Sequence, residues 1–163
     1  MLSLFIVALS VAGGAPLLLQ PAGDKVITTE RAKPLVDAVS RDGDGIAIGG
    51  YDAVAYFEVA RPVKGSRSFE HEYKGAVWRF SSSQHREMFA REPDRFMPQF
   101  GGYCAYAVAR GYTATASPLA WSIADGKLYL NYNEAVRKVW QSDQERLIDG
   151  ALHNWPRLHR GPR

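Results

Sequence analysis

Two tight-turn signatures constrain this chain more than any other feature. Lys74-Gly75 separates Phe69-Glu70-His71-Glu72-Tyr73 from Ala76-Val77-Trp78-Arg79-Phe80, and Asp125-Gly126 separates Trp121-Ser122-Ile123-Ala124 from Lys127-Leu128-Tyr129-Leu130. A two-residue loop with glycine second, flanked by β-branched and aromatic residues, is the signature of a β-hairpin. In the first hairpin this register sets Tyr73 against Ala76, His71 against Trp78 and Phe69 against Phe80. Those residues share one face. Glu70 then meets Arg79 on the other face as a cross-strand ion pair.

Helical signals surround the hairpins. Asp52 stands at an N-cap position before Ala53-Val54-Ala55-Tyr56-Phe57, and Ile46-Ala47-Ile48 ahead of it reads as a short strand. Ser82 or Ser83 caps a helix over residues 84–90, on which His85, Met88 and Phe89 share a face. Pro93 ends that helix, and a further helical turn follows over residues 94–97. Residues 134–154 read as helical, with Val136, Val139 and Trp140 inward in the first part and Leu147, Ile148 and Leu152 in the second. A capping box from Ser142 to Glu145 marks the break between them. Beyond the two hairpins the chain shows no internal repeat. The expected fold is α+β: a small antiparallel sheet built from two hairpins, with helices packed on one side and a C-terminal helical segment.

The 163 residues suffice for one domain and an N-terminal extension. A net charge of +3, with no Lys/Arg run, argues against a nucleic-acid partner. A single cysteine, Cys104, excludes an intramolecular disulfide and a multi-cysteine zinc site. Residues 2–11 are almost wholly apolar, and Ala12, Gly13, Gly14 and Ala15 follow, the pattern of a secretory signal. Glycines and Pro16 make the run a poor membrane span. The expected organisation is therefore a signal segment over 1–22, a linker over 23–45, a domain over 46–156 and a basic tail over 157–163. The expected location is exported, periplasmic or extracellular.

Three stretches in order resemble the YHS domain family. They are Gly50-Tyr51-Asp52-Ala53-Val54-Ala55-Tyr56-Phe57; Tyr73-Lys74-Gly75-Ala76-Val77-Trp78-Arg79-Phe80-Ser81-Ser82 with His85, Phe89, Pro93 and Phe96; and Gly101-Gly102-Tyr103-Cys104-Ala105-Tyr106 with Trp121 and residues 128–133. The last stretch is similar to an exported single-domain branch. The resemblance implies metal binding. The cysteines used by metal-binding members correspond to Ala55, Ser81 and His85, so only His85 keeps ligand chemistry there.

The candidate site follows from these residues. Cys104 and His85 are the candidate ligands of a soft metal ion, with copper the first candidate. Met88, Met97 and His71 are additional ligand candidates, and a small molecule or a second copy in a homodimer could complete the shell. Tyr103, Tyr106 and Trp121 are candidate pocket-lining residues. The alternative is a non-enzymatic protein- or ligand-binding module with a structural cysteine. A small thiol enzyme pairing Cys104 with His85 is the third reading. No hydrolase elbow, phosphate loop, haem attachment or zinc-protease motif occurs.

Overall fold

The computed structural model describes residues 35–159. The signal segment and the last four residues of the basic tail lie outside them. Both hairpins form. β1 (Ser66–Tyr73) pairs antiparallel with β2 (Ala76–Phe80), and β3 (Ser117–Ala124) with β4 (Lys127–Asn131). They are two separate two-stranded sheets rather than one, within the expected α+β class. Lys74 and Asp125 take left-handed backbone at the turns, followed by Gly75 and Gly126. Glu70 pairs with Arg79 at 2.8 Å, and His71 lies opposite Trp78. Phe80, however, lies opposite Ser66 rather than Phe69, because the register shifts between Ser66 and Glu70.

Each hairpin carries its own helix. Ser82 caps α2 (Ser83–Arg91) by accepting from the His85 N–H, and Asn133 caps α5 (Glu134–Ser142) by accepting from the Val136 N–H. Short helices α1 (Ala55–Glu58) and α4 (Ala105–Ala109) precede the two hairpins, and α3 (Pro93–Phe96) and α6 (Gln144–Leu158) follow α2 and α5. One core gathers Val39, Val54, Tyr56, Trp78, Phe80, Phe89, Phe96, Leu128 and Leu130. A second gathers Phe100, Ala105, Val108, Tyr129, Trp140, Leu147 and Ala151. β4 lies between them, with Leu128 and Leu130 facing one core and Tyr129 the other.

The chain is an internal repeat, contrary to the sequence reading. β1, β2, the capping residue Ser82 and α2 recur 51 residues later as β3, β4, Asn133 and α5, with the same lengths and the same bulge position. The irregular parts recur too. Ser66 Oγ accepts from the Ser68 N–H at 3.1 Å, and Ser117 Oγ from the Leu119 N–H at 3.2 Å. The Asp52 N–H donates to Val63 O at 2.8 Å, and the Cys104 N–H to Ala114 O at 2.9 Å. Ile48-Gly49-Gly50 and Phe100-Gly101-Gly102 are both runs of three left-handed residues leading into a tyrosine. Asp52 and Cys104 therefore hold equivalent places.

Other expectations need correction. Val39 is buried in the first core and the Ser40 N–H donates to Gly101 O, so the linker reading fails for residues 36–45. At the other end α6 runs to Leu158 and His159 bridges to Val36, so the packed unit exceeds residues 46–156 on both sides. Ile46 and Ala47 make only isolated bridges, to Val77 and Arg41, and Ile48 belongs to the left-handed turn. Val139 and Leu152 are each 51% exposed, while Trp140 and Ala151 point inward. The helix break falls at Asp143, with no side-chain cap bond; Ser142 Oγ instead donates to Val139 O.

Candidate functional site

Asp52 organises the first half. It is fully buried yet accepts five hydrogen bonds. Oδ1 takes the Val54 and Ala55 N–H groups at 2.9 and 3.2 Å, which caps the start of α1. Oδ2 takes the Ser81 N–H at 2.9 Å, the Ser81 hydroxyl at 2.6 Å and His85 Nδ1 at 2.7 Å. A buried carboxylate demands such partners, because an unpaired one is costly. One side chain thus ties the Gly50-Tyr51 turn to the end of β2 and to the first turn of α2.

The consequence falls on His85. A carboxylate can only accept, so Nδ1 carries a hydrogen; in the neutral imidazole Nε2 is then the nitrogen with the lone pair. Nε2 has no hydrogen-bond partner among the described residues and is not one of the buried unpaired atoms, so it faces solvent; the side chain is 17% exposed. A histidine that donates one ring N–H to a carboxylate and presents the other nitrogen is the arrangement found behind metal-ligating histidines.

Aspartate, histidine and serine together invite comparison with a hydrolytic triad, but the geometry differs. Ser81 Oγ lies 3.4 Å from Nδ1, the same ring nitrogen that Asp52 holds, and donates its own proton to the carboxylate. A nucleophilic serine needs the opposite ring nitrogen as its base. Ser81 is a positioning group.

Cys104 occupies the place of Asp52 in the second half and does part of the same work. Its sulfur accepts the Tyr132 N–H at 3.2 Å, and Tyr132 is the counterpart of Ser81. Its thiol faces Asn131 Oδ1 at 3.9 Å, and the residue is 1% exposed. The counterpart of His85 is Val136. The repeat therefore separates two roles: both halves pin the backbone after the hairpin, and only the first adds an imidazole. No hydrogen bond joins Cys104 to His85, and no group of three or more His, Cys, Asp or Glu among the described residues could hold a metal ion.

The remaining candidates are dispersed. His71 lies edge-on to Phe89, with ring centroids 6.0 Å apart, and Met88 and Met97 pack against the first core. Trp121 packs on Tyr56, at 5.4 Å between centroids, in the first core. Tyr103 packs on Trp155 in the second, where burial, then the charge of Asp37, pushes its phenol above the ordinary range. Tyr106 gives its backbone N–H to Asn131 Oδ1. Trp121 thus belongs to the first core, whereas Tyr103 and Tyr106 pack against the second. A cleft of about 380 Å³ lies at the tip of the first hairpin, lined by Gly45, Glu72, Tyr73, Lys74, Gly75, Ala76 and Val77.

Sequence reasoning assigned Asp52 its cap but missed its second oxygen. It also missed Ser81 as a partner. The repeated Gly-Gly-Tyr-x-Ala, at residues 49–53 and 101–105, was the signal that could have paired Asp52 with Cys104.

Fold and site together define an α+β protein with one carboxylate-braced histidine. Comparison with protein-family models, with curated proteins and with solved structures finds no match.

Proposed function

We propose that the chain is an exported, non-enzymatic, YHS-like module that offers a soft or borderline metal ion, copper first, the Nε2 atom of His85. The observation that carries this reading is the 2.7 Å contact from His85 Nδ1 to buried Asp52, which occupies Nδ1 and leaves Nε2 as the ring nitrogen open to a ligand. Imidazole suits copper. One imidazole does not close a coordination shell, so the remaining ligands come from a small molecule, a partner protein or a second copy of the chain. That describes an open, exchangeable site rather than a permanent one. Cys104 leaves the ligand set and becomes structural, because its sulfur is buried and already accepts a backbone N–H.

The test is a copper(I) titration of the untagged protein against a chelator of known affinity. Binding should weaken in His85→Ala and in Asp52→Asn and be unchanged in Cys104→Ser. Equal binding in all four proteins would remove the site. Loss in Cys104→Ser alone would restore the thiolate to the ligand set. The saturated environment of Cys104 also favours a second reading, a protein- or ligand-binding module in which His85 only secures α2; equal, weak copper binding would support it. Export is tested separately, by N-terminal sequencing of protein from the fractionated native host. A processed chain outside the cytoplasm is expected, and an intact Met1 in the cytosol would contradict it.

A further inference from the structure

We infer that the second half of the repeat contains an internal site for one small, neutral hydrogen-bond acceptor, a bound water, between Asn131 Nδ2 and Trp140 Nε1. Both atoms are buried N–H donors without a hydrogen-bond partner among the described residues, and both residues are fully buried. Leaving such donors unpaired costs a large fraction of their hydration, so native structures supply an acceptor.

The repeat indicates that the two side chains are neighbours. Asn131 is the counterpart of Phe80, and Trp140 of Phe89. In the first half those two rings are in contact, 5.1 Å between centroids. In the second half Trp140 packs on Tyr129 at 5.4 Å, as Phe89 packs on Trp78 at 5.0 Å. Tyr129 and Asn131 are two apart on β4, so their side chains leave the strand on the same side. Replacing a phenyl ring by a carboxamide opens more room than the larger indole fills, and it adds a donor on each wall. A gap between two donors takes an acceptor.

The surroundings select its kind. The second core supplies Phe100, Ala105, Val108, Leu147 and Ala151, which neutralise no charge, so an anion is disfavoured. The layer is closed, which disfavours anything large. Asn131 Oδ1 is already committed to the Tyr106 N–H and the Cys104 thiol, so the amide cannot flip to satisfy Nδ2 without losing the Tyr106 bond. A single water satisfies both donors, as polar interior sites commonly require.

The test is magnetisation transfer from water to side-chain N–H groups in the ¹⁵N-labelled full chain, with the indole signal assigned through Trp140→Phe. Direct cross-peaks are expected at both the Trp140 indole N–H and the Asn131 amide. In Asn131→Leu the indole cross-peak should weaken or vanish. Absence of both cross-peaks in the wild-type protein would overturn the site. So would an indole signal in Asn131→Leu indistinguishable from wild type. Should Asn131→Leu fail to fold, the wild-type cross-peaks alone decide.

Discussion

Asp52→Ala should be among the most damaging single substitutions in the domain, and its cost can be built bond by bond. Losing the Oδ1 cap of α1 removes about 1 kcal/mol. Three further donors, the Ser81 N–H, the Ser81 hydroxyl and His85 Nδ1, lose a carboxylate partner, for which hydrogen bonds run about 1.5–3 kcal/mol each. Ser81 is exposed and His85 is 17% exposed, so water recovers much of that, and about 1 kcal/mol per donor remains. The sum is about 3–5 kcal/mol, since part of the loss is shared within the network. Urea denaturation followed by tryptophan fluorescence measures it, as a lowered midpoint at unchanged slope. Cys104→Ala, at the equivalent place, removes one weak acceptor and a small buried side chain and should cost about 1–2 kcal/mol. A loss below about 1 kcal/mol for Asp52→Ala, or equal losses at both sites, would refute the reasoning.

Trp78→Ala should cost about 3–5 kcal/mol in the same assay, because the fully buried ring packs on Phe89; a loss below about 1 kcal/mol would contradict its place in the core. Gly101→Ala should destabilise far more than Gly126→Ala. Both glycines are left-handed, which alone costs about 1–2 kcal/mol, but a Cβ on Gly101 would sit 1.9 Å from the Ala38 carbonyl oxygen, whereas one on Gly126 meets nothing within 4 Å. Equal midpoints for the two variants would refute that packing. Tyr56 is held neutral well above the usual phenol range, first by burial and then by the charges of Tyr51 and Asp52. Its contribution is complete below about pH 10 and is lost as pH rises through the raised folded value. Wild-type protein should therefore lose stability in strong alkali more steeply than Tyr56→Phe, and parallel pH profiles would show otherwise.

Local chemistry was readable from the sequence; long-range pairing was not. Both hairpins follow from glycine turns between alternating residues, and Ser82 caps α2 where a serine before an amphipathic run should. The Phe69–Phe80 pairing failed because the bulge before Glu70 sits beyond the turn's influence. Val139 and Leu152 carry apolar side chains at helical spacing, yet burial depends on which neighbour a helix meets, and Ala151 took the inward place. The functional site shows the same division. His85 and Cys104 stood out as ligand types, but the sequence supplies no distance. Whether they meet depends on how the two halves of the repeat pack. The partner His85 does find, Asp52, lies 33 residues away and looked fully occupied as a cap.

The most direct test of the central claim is the imidazole nitrogen spectrum of the ¹⁵N-labelled protein as copper(I) is added. Before copper, the neutral His85 ring should be the Nδ1–H tautomer. On addition, the Nε2 resonance should move selectively, while the Tyr132 amide that donates to the Cys104 sulfur stays in place. An unmoved His85 ring, or a response centred on the Tyr132 amide, would contradict the account.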